Sequence, residues 1–122
     1  MGASDPYATS KTCAELIAEC YCKSFLNIKK KIIVVSVRAG NVIGGGDYSE
    51  NRIVPDFIES LNKKKKLIIR NPDHVRPWQH VLEPLFGYVT LAEKLYKKRL
   101  NNKYESWNFA PHKDSFLKVR KL

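Results

Sequence analysis

Cys13, Leu16, Ile17, Cys20, Tyr21 and Phe25 recur at steps of three and four residues, which predicts an amphipathic helix with one buried stripe. Asp5 followed by Pro6 marks its start: the carboxylate can cap free amides, and proline suits the first helical position, where no N–H is needed. The period then changes. Lys31 to Val37 is a continuous β-branched run of the kind found in a parallel strand covered on both faces. A glycine-rich loop, Ala39 to Asp47, follows it. Pro55 to Leu61 reads as a second helix, Leu67 to Ile69 as a short strand, Pro84 to Leu100 as a third helix and Trp107 to Phe109 as a last strand. The tail from His112 shows no clear pattern. Helices alternating with strands over short connections predict the α/β class with a mostly parallel sheet. The first strand is apolar on both faces, yet few other strands are present to flank it, so its expected neighbours lie elsewhere.

Composition narrows the function classes. The 22 basic and 12 acidic residues leave a formal charge of +10 on 122 residues, with 43% hydrophobic content, as in one globular domain or part of one. The longest aliphatic run, Ile32 to Val35, is far short of the ~20 apolar residues that cross a bilayer. No apolar segment follows Met1, and Pro6 stands where a myristoylation signal wants Ser or Thr. The expectation is a chain that neither spans a membrane nor is secreted. Cys13, Cys20 and Cys22 all fall on the first helix, so they cannot staple distant segments, and a reducing cytoplasm fits best. Their spacings, with His74 and His80 far along the chain, argue against a zinc site, and no metal is expected. The charge excess sits in Lys29 to Lys31, Lys63 to Lys66 and Lys97 to Arg99, each after an amphipathic stretch. Cations suit the negative end of a helix dipole. A nucleic-acid surface would interleave aromatics with these cations, and none are interleaved, so no nucleic-acid partner is expected.

Three segments carry chemistry. Tyr7 and Lys11 lie one helical turn apart and share a face; a phenol used as a base near neutrality needs a neighbouring cation, which the lysine can supply. In a chain this rich in lysine the spacing alone proves little. Arg38-Ala39-Gly40-Asn41-Val42-Ile43-Gly44-Gly45-Gly46-Asp47 stands where the buried strand ends, the place where open α/β sheets bind ligands, and glycine lets backbone approach a ligand closely. It is neither a Walker loop nor a Gly-x-Gly-x-x-Gly turn. A flexible surface turn is the other reading of these residues. Arg70 to Val81 is dense in planar donors, and its two guanidinium forks, Arg70 and Arg76, suit the paired acceptors of a diphosphate. His80 taken alone reads as a structural hydrogen-bonding residue.

Together these segments resemble the extended short-chain dehydrogenase/reductase family, in which a Tyr-x-x-x-Lys helix precedes a strand ending in Arg-x-x-Asn-Val-x-Gly and a loop with an arginine for the substrate's diphosphate. The Val-Arg-Pro-Trp-Gln-His-Val-Leu-Glu-Pro-Leu run from Val75, with Asp5-Pro6-Tyr7, Ser10-Lys11 and Trp107-Asn108-Phe109, is similar to its CDP-glucose 4,6-dehydratase branch. Ala8-Thr9 and Tyr48 depart from that branch's usual serine and tryptophan. The resemblance implies a Rossmann-like parallel sheet, with 1–47 as the C-terminal part of that domain and 48–122 as part of a small substrate-binding region. It implies NAD as cofactor, a nucleotide-sugar substrate, a cytoplasmic enzyme that is a homodimer when full length, and a place in 3,6-dideoxyhexose and O-antigen synthesis. Tyr7 would take the proton of the sugar's 4-hydroxyl while hydride leaves C4; water would then be lost across C5 and C6 and the hydride returned to C6. Lys11 would hold the nicotinamide ribose, with Ala39 and Val42 passing near the nicotinamide. Asn41 and Arg76 would bind the diphosphate, with Arg52 and His80 also on the substrate side. In this family the glycine-rich NAD loop and the acid/base pair for dehydration precede the Tyr-x-x-x-Lys helix, so the 122 residues read as an internal fragment that does not turn over alone. Tyr7, Lys11, Asn41 and Arg76 are expected to meet in one cleft. Two alternatives are another epimerase or dTDP-sugar dehydratase of the family, and a non-catalytic basic binding module.

Overall fold

A computed structural model describes residues 5–26, 32–98 and 104–122. The α-helices and β-strands in chain order are α1 (Pro6–Phe25), β1 (Val35–Ala39), β2 (Asn41–Ile43), α2 (Ile53–Asn62), β3 (Val75–His80), α3 (Leu82–Lys98), β4 (Glu105–Phe109) and β5 (Phe116–Lys118), with short 3-10 turns at Lys113–Ser115 and Val119–Lys121. β1 pairs with β4, and β2, β3 and β5 form a second sheet in that order. Two compact units result, interleaved along the chain: the described residues of Met1–Arg38 with Tyr88–Asn108, and Ala39–Gly87 with Phe109–Leu122. Of the three lysine-rich runs, Lys29 to Lys31 lie outside the described residues, as do Arg99 and the expected end of the third helix at Leu100.

In the first unit α1 starts as its sequence dictates. Asp5 is the N-cap, its carboxylate accepting from the Ala8 N–H at 2.9 Å, with Pro6 at the first position. The apolar stripe behaves otherwise: all six of its residues, Cys13 to Phe25, are exposed, Phe25 by 62%. The less exposed face is Thr12, Glu15, Ala18, Glu19 and Cys22. An ion pair holds that face: the Arg38 guanidinium donates through Nε and Nη2 to both carboxylate oxygens of Glu15, and through Nη1 to Asn108 Oδ1 at 3.1 Å. The hydrogen bonds from Arg38 hold the Glu15 carboxyl below the usual glutamate range. Its contribution to stability is therefore complete above the ordinary value of about 4.3 and is lost only as pH falls through the lower folded value.

β1 also departs from expectation. It runs from Val35 to Ala39, not from Lys31 to Val37, and none of its residues is buried. Lys31 lies outside the described residues, and Ile32 to Val34 join no ladder. A strand that is apolar on both faces needs a strand on each side and cover above and below; here β4 is its one partner among the described residues.

In the second unit β2 runs parallel to β3, with Asn41 opposite Trp78, Val42 opposite Gln79 and Ile43 opposite His80, which bears out the α/β class with parallel strands. β5 pairs antiparallel to β3. The segments from Ala39 and from Arg70 are therefore not plain loops, since each contains a strand. Leu67 to Ile69, expected as a strand, forms none; Ile68 is exposed, and apolar β-branched residues without a ladder partner do not make a strand. α2 begins two residues before Pro55, and α3 two before Pro84.

Among the described residues only Cys22, Trp78, Gln79, Pro84, Leu91 and Leu95 are buried. Folded domains hold a margin of only about 5–15 kcal/mol, and few of the described side chains are buried to contribute to it. The isolated 122-residue chain is expected to melt without a sharp transition and to bind a hydrophobic dye. Cooperative unfolding of a soluble monomer, followed by circular dichroism and calorimetry, would contradict this.

Candidate functional site

Tyr7 and Lys11 both lie in the first two turns of α1, and the Lys11 Nζ stands 5.4 Å from the centroid of the Tyr7 ring, within cation–π range. Asp5 fixes the start of the helix, and the Ser10 hydroxyl donates to the Tyr7 carbonyl at 2.7 Å, so the backbone under the phenol is held from both sides. Tyr7 itself is 72% exposed. A rigid helix end thus presents a phenol and an ammonium group on one open face. Arg38, which the sequence places in the glycine-rich segment, points its guanidinium at Glu15 and Asn108 and is engaged in structure.

In the second unit Asn41 and Arg76 come together, both lining a cavity of about 170 Å³ with Arg70, His74 and Trp78. The strand pairing explains why: Asn41 is in register with Trp78, and Arg76 lies two residues before Trp78, on the same face of β3. Gly40 makes the close approach of β2 to β3 possible, because a Cβ there would lie 2.8 Å from Pro77 Cγ and 3.0 Å from the Pro77 carbonyl oxygen. Arg70 donates through Nη2 to the Asn51 carbonyl at 3.1 Å, whereas Arg76 makes no ion pair among the described residues. Asp56 is the one carboxylate residue lining this cavity, against two guanidinium groups, so the cavity favours an anion.

The other sequence-predicted residues take separate places. Arg52 is the N-cap residue of α2, its carbonyl accepting from the Asp56 N–H at 2.9 Å, and it does not line the Asn41–Arg76 cavity. Its charge, behind the hydrogen bonds from Ser49, helps to hold the Asp47 carboxyl below the usual range. His80 accepts the Leu82 N–H on Nδ1 at 3.3 Å, satisfying an amide at the start of α3, and borders a neighbouring cavity of about 470 Å³ with Glu83 and His112. Val42 lines a third cavity, of about 500 Å³, together with Gly44, Gly45 and Gly46. Gly46 has φ of +80°, a conformation that favours glycine, which accounts for the last residue of the triplet. Ala39 is the last residue of β1. Asn51 and Val119 line the same cavity as Arg76, and Asp73 ties Val119's segment to it, yet no local pattern in the sequence marks any of them.

No described helix is long and apolar enough to cross a membrane. Comparison with known proteins places these segments in a family. The chain is 49% identical over 115 residues to the CDP-glucose 4,6-dehydratase of Salmonella typhimurium, an overlap covering 91% of this chain and 32% of that protein. It is 39% identical over 66 residues to the dTDP-D-glucose 4,6-dehydratase of Dictyostelium discoideum, covering 54% of this chain and 14% of that one. The human dTDP-D-glucose 4,6-dehydratase is 28% identical over 92 residues, covering 75% of this chain and 25% of the relative. The chain thus spans about a third of the length of the Salmonella protein and a quarter or less of the other two. Residues 1–106 of the 122 match one family description, and the chain accordingly belongs to the NAD dependent epimerase/dehydratase family.

Proposed function

We propose that the protein carrying this chain is a nucleotide-sugar 4,6-dehydratase whose substrate is CDP-glucose. The observation that carries this reading is the 49% identity to a CDP-glucose 4,6-dehydratase across 91% of the chain, against 39% and 28% over shorter spans to dTDP-D-glucose enzymes. The residues fit NAD at one end: Tyr7 and Lys11 offer an exposed hydroxyl and an exposed ammonium group on one helix face, a donor set suited to ribose hydroxyls. When bound, NAD supplies the acceptor and later the donor of a hydride.

This chain's own residues then bind, orient and move a proton. Tyr7 Oη takes the proton from the sugar's 4-hydroxyl as C4 is oxidised, a general-base step. Lys11 holds the nicotinamide ribose and places its ammonium group beside the phenol. Ala39 and Val42 contact the nicotinamide mainly through backbone. Asn41 and Arg76 bind the substrate diphosphate, Arg76 through a charge-assisted fork. Arg52 and His80 are assigned to the substrate side without a chemical role. Residues 1–47 belong on this reading to the Rossmann-like domain and 48–122 to the substrate-binding region.

The test is a graft: this chain replaces the matching segment of the Salmonella relative, and the hybrid is assayed for dehydration of CDP-glucose and dTDP-glucose. Turnover of CDP-glucose is expected. A folded, NAD-retaining hybrid that acts only on dTDP-glucose would move the assignment to the second reading, which the Dictyostelium match supports. In the same hybrid, Gly40→Ala should cost about 1–3 kcal/mol of stability through overpacking against Pro77. It should also raise KM, because the strain falls on the residue beside Asn41. An unchanged Tm and KM would show that Pro77 yields freely.

A further inference from the structure

The last residues of the chain are fastened to the segment that carries Arg76. β5 lies along β3 with Leu117 opposite Arg76 and Lys118 opposite Val75. Past the ladder, the Val119 N–H donates to the His74 carbonyl at 2.9 Å and the Arg120 N–H to the Pro72 carbonyl at 3.0 Å. Between those two carbonyls sits Asp73, whose Oδ1 accepts from Lys118 Nζ at 3.0 Å and from Arg120 Nη2. Val119, flanked by the two cations, forms part of the wall of the Asn41–Arg76 cavity. Without Asp73, Lys118 and Arg120 would be two uncompensated cations next to a segment already carrying Arg70 and Arg76, and like charges at close range repel. One carboxylate therefore turns a repulsive edge into a closed one.

We propose that Asp73 is a positioning residue for nucleotide-sugar binding: by pairing with Lys118 and Arg120 it holds β5 along β3, keeps Val119 in the cavity wall and presents Arg76 to the diphosphate already in place. This rests on the reading of the Asn41–Arg76 cavity as the diphosphate site. The hydrogen bonds from Lys118, and with them the Arg120 charge, hold the Asp73 carboxyl below the usual range, so it is ionised at neutral pH. All three side chains are substantially exposed, and exposed pairs add little to global stability. The effect belongs to preorganisation of the site, where ordering a binding segment in advance improves affinity.

In the grafted enzyme, Asp73→Asn is expected to raise KM for CDP-glucose by about three- to tenfold with kcat within about twofold, the signature of lost uniform binding. Hydrogen exchange at the Val119 and Arg120 amides should accelerate in the same variant. Asp73→Glu should restore both, and the double variant Lys118→Ala/Arg120→Ala, which opens the clamp from the other side, should repeat the KM rise. Arg76→Ala is the control. If it raises KM while Asp73→Asn and the double variant do not, the positioning role is wrong and the diphosphate site stands. If Arg76→Ala leaves KM unchanged, the diphosphate site itself is wrong and the positioning role falls with it. A fall in Tm and kcat together at constant KM would make Asp73 purely structural and would also overturn the proposal.

Discussion

Tyr7→Phe in the grafted enzyme should lower kcat by about 10²- to 10⁴-fold, the range that a positioned general base contributes, with KM for the nucleotide sugar nearly unchanged. The substitution removes one hydroxyl from a side chain that is already mostly exposed, so it opens no cavity. The helix end stays as it is, because the Asp5 cap and the Ser10 bond to the Tyr7 carbonyl both act on backbone. The lost step is removal of the 4-hydroxyl proton, and among the described neighbours on this face of α1, Lys11 is a cation and cannot accept it. Single-turnover measurement of hydride loss from C4 isolates that step from dehydration and release. A kcat within tenfold of the parent would mean that another group takes the proton and that Tyr7 only orients the sugar. Lys11→Met should behave differently, weakening NAD retention as well as slowing the first step, since the ammonium group is assigned to both.

Much of this arrangement is legible in the sequence, for reasons that differ by element. Asp5-Pro6 announces the start of α1 because capping and proline placement are local effects, decided within four residues. The rotation of the same helix is not local. The stripe from Cys13 to Phe25 is legible as apolar, but whether it is buried depends on which surface lies opposite, and the Glu15–Arg38 pair, 23 residues apart, turns a mixed face inward instead. β3 was hidden for a related reason. Val75-Arg76-Pro77-Trp78-Gln79-His80 has no alternating apolar period, and it becomes a strand because β2 and β5 pair with it on its two sides. Gln79 illustrates the cost of reading polarity alone: it is buried, with its amide nitrogen donating to the Phe109 carbonyl at 3.3 Å, 30 residues away. Ile68-Ile69 is the converse, apolar residues that look like a strand and lack a partner. At the candidate site, the motifs around Asn41 and Arg76 mark both residues, and their common cavity follows from the β2–β3 register. Asp73 could not be found this way, since its two partners follow 45 and 47 residues later, in a tail with no readable pattern.

Arg76→Ala is expected to raise KM for CDP-glucose by about ten- to a hundredfold and to change kcat far less. Hydrogen bonds to a charged group contribute about 1.5–3 kcal/mol, and each 1.4 kcal/mol is a factor of ten in affinity. The diphosphate carries the same charge in the ground state and in every later step, so its contacts stabilise substrate and transition state alike and appear in KM. Arg76 suits that role because its guanidinium has no ion pair to break among the described residues, whereas Arg38 would have to abandon Glu15 and Asn108. Arg76→Lys should recover only part of the loss, because a point charge replaces a planar fork that matches paired oxygens. Raising ionic strength should weaken substrate binding in the parent more than in Arg76→Ala, since the variant has already lost the cation that salt screens. Equal losses of kcat in Arg76→Ala and Tyr7→Phe, with KM untouched in both, would place Arg76 at the reacting carbon and remove the diphosphate from the Asn41–Arg76 cavity.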